Sequence, residues 1–138
     1  MRLAIVTLIV AFGMVAVGTG HAEKEKKMDD RVFEMRTYYA APGKMTMHAR
    51  FRDRTRALFE KHGMTIVGFW SPTDAKEAEK KMVYILAYPS KVAADKSWDA
   101  FRKDPVWVKA KADSEKDGTL VDKVESLYMN PTDYSPLK

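Results

Sequence analysis

Hydrophobic and polar positions alternate along several stretches of the chain and recur with a helical period along others. From Arg31 to Tyr39, Phe33, Met35 and Thr37 share one side, and Glu34, Arg36 and Tyr38 share the other. Period two with aromatic and β-branched residues predicts a strand. Ala41-Pro42-Gly43 ends it. Lys44 to His62 has a helical period: Met47, Phe51, Leu58 and His62 fall together, with Thr55 and Ala57 nearby. Arg50, Arg54, Glu60 and Lys61 take the solvent side, and Gly63 stands where a left-handed cap belongs. Met64 to Trp70 has strand composition. Ser71-Pro72-Thr73-Asp74 turns the chain, and Ala75 to Lys80 is a polar excursion. Lys81 to Tyr88 alternates with apolar residues on both sides, which predicts a central strand covered on both faces. Ser90 offers an N-cap for a helix over Val92–Lys103 that carries Ala94, Trp98 and Phe101. Asp104-Pro105 restarts the helix, aspartate as cap and proline as first residue. This second piece carries Trp107, Val108 and Ala112 and ends near Gly118; Thr119 to Met129 is the last strand.

The predicted order is strand, helix, strand, strand, broken helix, strand. This is an α+β, ferredoxin-like βαββαβ plan, with one antiparallel sheet and helices on one face. A third strand apolar on both sides needs a second cover, and a second copy of the same sheet supplies one. Two sheets packed face to face make a dimeric α/β barrel, a homodimer with a self-complementary interface.

The N-terminus precedes this domain and follows other rules. Met1-Arg2 leads an apolar run from Leu3 to Val17, then Gly20-His21-Ala22. A basic start, an apolar core and a small-x-small end predict a secretory signal peptide over residues 1–22, cut after Ala22. The run is short for a membrane span, which needs about 20 apolar residues. The other reading is an anchor kept uncleaved. Residues 23–30 are charged apart from Met28 and read as a flexible lead-in to a domain over 31–138. Cleavage removes 22 of 138 residues and lowers the net charge from +5 to +4, since Arg2 is the only charge lost.

Composition narrows the chemistry. There is no cysteine, which excludes disulfides, thiolate metal sites and cysteine nucleophiles. There is no phosphate loop, Rossmann glycine pattern, nucleophile elbow or His-Glu-x-x-His. Arg50, Arg52, Arg54 and Arg56 are spread around one helix with Asp53 among them, a solvated helix rather than a nucleic-acid footprint. His48 and His62 lie 14 residues apart on one helix, about 21 Å at 1.5 Å per residue, so they cannot share a metal ion. His62 beside Gly63 suits the negative end of the helix. His48, next to Met47 and Phe51, is the one candidate for a general base or haem ligand.

Glu34, Arg36 and Tyr38 form a polar trio. With Phe33 and Met35 under the helices, the trio would point into the barrel. There it would either line a pocket for an anionic or carbonyl-bearing molecule or pair internally to fix dimer register. Trp70, Tyr84, Tyr88 and Trp107 are the aromatic candidates for ligand stacking, against the alternative of core or interface packing.

Glu34-Met-Arg36-Thr-Tyr38, Pro42-Gly43-Lys44, Gly68-Phe69-Trp70, Tyr88-Pro-Ser90, Asp104-Pro105-Val-Trp107 and Tyr134-Ser135-Pro136-Leu137 occur in an order that resembles the NIPSNAP family, from about Val32 to Leu137. The resemblance implies the dimeric α/β-barrel fold. Eukaryotic members are mitochondrial proteins tied to vesicle traffic and organelle quality control. The leader here differs from an amphipathic, arginine-rich mitochondrial one. The expectation is an exported, non-enzymatic homodimer that binds a small molecule or a partner protein, without cofactor, nucleic acid or a stable membrane span. Relatives by fold add a second expectation, a cofactor-free monooxygenase or haem-handling enzyme. His48 would then be base or ligand, with Trp70 and Tyr84 lining its pocket.

Overall fold

The computed structural model describes residues 31–44 and 47–138. The predicted leader, 1–22, and lead-in, 23–30, lie outside the described residues. Four strands, β1 (Val32–Ala40), β2 (Thr65–Trp70), β3 (Lys81–Tyr88) and β4 (Val121–Met129), form an antiparallel sheet in the spatial order β2-β3-β1-β4. The helices are α1 (Met47–Arg50), α2 (Arg56–Lys61), α3 (Ala75–Ala78), α4 (Lys91–Lys103) and α5 (Pro105–Ser114), with a π-helical stretch Phe51–Thr55 joining α1 to α2. The architecture is α+β. The short α3 lies inside the expected polar excursion, capped by Asp74 on the Glu77 amide.

The caps read from sequence form. Ser90 accepts from the Ala93 amide at 3.1 Å, and Asp104 accepts from the Val106 amide at 2.8 Å with Pro105 behind it. Gly63 takes φ +75° where the chain leaves α2, a conformation that costs a residue with a Cβ. Asp104 also ties the second helical layer to the first: its Oδ2 lies 2.6 Å from Lys61 Nζ and 2.7 Å from His62 Nε2. These partners hold the Asp104 carboxyl far below the usual carboxylate range.

Helices cover one face of the sheet. On that face Phe51, Phe59, Tyr84, Trp98 and Phe101 interlock, with Phe59 5.5 Å from Trp98 and 5.1 Å from Phe101 between ring centres. Met82, Tyr84, Leu86 and Tyr88 of the inner strand β3 belong to this core. β1 pairs Glu34 with Leu86, Arg36 with Tyr84 and Tyr38 with Met82, so the polar trio shares the helix-covered face. The expected orientation is therefore reversed. Phe33 and Met35, paired with Ala87 and Ile85, lie on the opposite face. The large β3 aromatics already occupy the helix side, and the trio lies in register with them.

Arg50 is a second correction. It is 8% exposed, not on the solvent side. In the π-helical stretch, the Arg56 amide donates to the Phe51 carbonyl, five residues back, and the Thr55 hydroxyl donates to the Arg50 carbonyl at 3.3 Å. Arg50 Nη1 lies 2.8 Å from Glu115 Oε1, and its guanidinium sits 5.2 Å from the Trp107 ring centre. This links the first helix to α5.

Candidate functional site

Glu34 is the centre of the covered face. It is 1% exposed. Its Oε2 accepts from Trp98 Nε1 at 2.6 Å and from the Tyr88 hydroxyl at 2.8 Å. Its Oε1 accepts from the Ser126 hydroxyl at 2.6 Å and from Arg36 Nη1 at 3.1 Å. A buried carboxylate is costly unless its charge is paired and its lone pairs are used; four donors on two oxygens meet both conditions. The Arg36 guanidinium carbon lies over Trp98, 4.2 Å from the ring centre, a cation–π contact. Burial opposes the Arg36 charge, but the oxygens of Tyr84, Tyr38 and Glu34 favour it, and its pKa is raised. Burial, and then the Glu34 charge, push the Tyr88 phenol well above its ordinary value; the same two causes push Tyr128 up to about 12. Burial likewise raises Tyr84, whose hydroxyl has no hydrogen-bond partner among the described residues. All three phenols are held protonated at neutral pH. None is set up as a phenolate base.

A recess of about 220 Å³ opens between the first helix and the β2–β3 hairpin. Phe51, Phe69 and Met82 form its apolar side, and His48, Arg52 and Arg56 its polar side. Phe51 and Phe69 stand 6.0 Å apart, each backed by Tyr84 at 5.5 Å. The π-helical stretch carries part of this lining. Phe51 and Thr55 are buried while Arg52 and Arg56, four residues apart, both border the recess; such stretches are frequent at functional sites.

The predicted site residues separate into four places. Glu34, Arg36, Tyr38, Tyr84 and Tyr88 are on the covered face; Tyr84 and Tyr88 are wholly buried, and Tyr38 packs 5.3 Å from both Phe51 and Tyr84. His48 lines the recess at the helix. Trp107 packs on Phe101 at 4.6 Å and beside Arg50, a packing position and not a ligand-stacking one. Trp70 is elsewhere. It pairs with Val83, is 48% exposed, and lays its ring over Gly68, where a Cβ would come 2.8 Å from the indole. It thus lies on the open face and does not line a cleft with Tyr84. The sequence reading missed Trp98 and Ser126 as partners of Glu34, and Arg52, Arg56 and Phe69 as neighbours of His48. The four-residue spacing of Arg52 and Arg56 was the available signal.

The open face differs in kind. Phe33, Val67, Ile85 and Met129, with Pro131 and Leu137 of the C-terminal tail, line an apolar recess of about 290 Å³. Leu127, opposite Met35, is 54% exposed. Toward the other end, the Tyr39 hydroxyl donates to Glu125 at 2.9 Å and Lys81 and Lys123 flank its ring. Among the described residues no group of three or more metal-ligating side chains converges, and no helix is long and apolar enough to cross a membrane.

A family model for NIPSNAP matches residues 33–136. The chain belongs to the NIPSNAP family. A NIPSNAP family protein from Agrobacterium tumefaciens superposes with a TM-score of 0.67 at 19% identity, covering 78% of this chain and 99% of that one. A second from the same organism, a NIPSNAP family protein of unknown function, gives 0.67 at 22% identity, covering 80% and 96%. SnoaB, a cofactor-independent oxygenase from Streptomyces nogalater, gives 0.53 at 14% identity, covering 78% and 98%. These identities establish a shared fold and nothing about activity. No curated protein matches the sequence significantly. Within this NIPSNAP domain, the Glu-x-Arg-x-Tyr strand places the buried hub, and the Asp-Pro-x-Trp turn places the α5 cap and Trp107.

Proposed function

We propose that this NIPSNAP domain is an exported homodimer that binds a small molecule in the recess between its first helix and its sheet. The observation that carries the reading is the unequal finish of the two faces. The chain's own helices cover one face and leave a recess with an apolar floor and a polar rim there. The other face keeps Val67, Ile85, Leu127 and Trp70 without a helical cover. A contiguous apolar surface of that kind is characteristic of an interface. A second copy of the same ferredoxin-like unit, packed sheet to sheet, completes a dimeric α/β barrel and leaves each helix-side recess open to a ligand. Export rests on the leader of residues 1–22. The binding function needs no cofactor.

Native mass spectrometry of the protein exported from a bacterial host tests this reading. A mature dimer beginning at Glu23, with a retained small mass, is the expected spectrum. A monomer would remove the assembly, and an intact leader would remove export. A second reading, a cofactor-free oxygenase or haem-handling enzyme, is favoured by the position of His48 on the same recess. It requires oxygen uptake, or a shifted haem absorbance, that His48→Ala abolishes.

A further inference from the structure

We propose that the recess at Phe51, Phe69 and Met82 selects a small planar aromatic anion. The flat body would lie against Phe51 and Phe69, and the charge would meet Arg52 and Arg56. This inference rests on the binding reading above and deepens it. Size is the first argument. A volume of about 220 Å³ falls below the range of roughly 300–1,000 Å³ that holds drug-sized ligands, so the occupant has one or two rings. Shape is the second. Two phenyl groups at 6.0 Å with a 69° angle between their planes offer one ring a face and another an edge. The buried Met82 thioether fills the remaining wall and adapts to a ring edge.

Charge decides the class. Every ionisable side chain on the recess is an arginine or a histidine. Arg52 forms no ion pair with any described residue, and the Arg56 contact with Glu60 is a long 3.9 Å pair between exposed side chains, which binds a guanidinium weakly. Both forks are therefore open to a carboxylate or sulfonate, which arginine receives in bidentate fashion. Two other recesses among the described residues lack the combination. The groove along α5 mixes Lys44 and Arg54 with Asp53, Asp113 and Asp117. The recess on the open face has no charged lining.

Calorimetry with two matched probes, 2-naphthoate and its neutral isostere 2-naphthamide, tests the proposal on the purified protein. The naphthoate is expected to bind at least tenfold tighter than the amide. An Arg52→Gln, Arg56→Gln double variant is expected to lose that preference and to keep its affinity for the amide. Both arginines are exposed, so the fold is expected to survive, and an unchanged melting temperature checks it. Equal binding of both probes would overturn the anion selectivity and leave the binding reading in place. Failure of both to bind at millimolar concentration would overturn the inference and the recess as a ligand site together. Preference for naphthoate that persists in the double variant would place the anion elsewhere and would also overturn it.

Discussion

The helix-covered face of the sheet carries a carboxylate, a guanidinium and several phenols, and the opposite face carries Phe33, Met35, Ile85 and Leu127. Hydrophobicity alone would send the second set inward. The chain does the reverse because the polar set is satisfied internally. Glu34 receives four hydrogen bonds from residues on β1, β3, β4 and α4, so its interior position leaves none of its oxygens unpaired. The apolar set makes no directional demands and serves equally well under a second copy. The two faces thus differ in finish: the chain's own helices cover one, and in the proposed dimer a second copy covers the other.

Removing the charge at the hub should separate the faces most sharply. Glu34→Ala leaves a half-buried guanidinium uncompensated and strands the Trp98, Tyr88 and Ser126 donors. Breaking a buried pair from one side costs about 3–5 kcal/mol, read as a shift of the urea midpoint. A loss below 1 kcal/mol would mean that the hub is peripheral to stability. Trp98→Phe keeps an aromatic side chain but removes the indole donor and part of the ring volume; the charge-assisted hydrogen bond alone is worth about 1.5–3 kcal/mol. The two effects should be less than additive in a double variant, because both report one network. Ser90→Ala removes only the α4 cap and should cost about 1 kcal/mol.

A further expected effect depends on pH. The Asp104 pKa is lowered in the fold by the hydrogen bonds from Lys61, His62 and the Val106 amide. A depressed folded pKa contributes stability above the unfolded value of about 3.9 and loses it as pH falls through the folded one. The gap in stability between the wild type and Asp104→Ala should therefore narrow as pH drops below that of a free aspartate. A gap independent of acid would mean that the carboxylate's partners add nothing to folding.

Much of the fold was legible because its signals are local. Lys81–Tyr88 has the predicted bounds, and the caps at Ser90 and Asp104 and the turn at Gly63 each follow from one or two neighbouring residues. The sidedness of β1 was not legible. Alternation identifies two faces but not which of them meets the helices, and that depends on Tyr84, Tyr88 and Trp98, far away in sequence. The hub partner Ser126 is 92 residues from Glu34. Arg50 looked solvent-facing because it is charged; a helical period puts it three residues from Met47, at the edge of the buried side, and Glu115 pairs it there. The arginine spacing on the first helix was visible, but Phe69 and Met82 approach it only through the sheet.

Sedimentation velocity on the wild type and on Ile85→Asp tests most directly whether a second copy covers the open face. Ile85 sits on the open face opposite Met35, away from every hub residue. The wild type should sediment as a dimer. The variant should sediment as a monomer with unchanged far-ultraviolet circular dichroism, because a charge there blocks assembly without entering the helix-side core. A wild type that is monomeric at all concentrations, or a variant that unfolds instead of dissociating, would contradict the division of the sheet into a self-finished face and an assembly face.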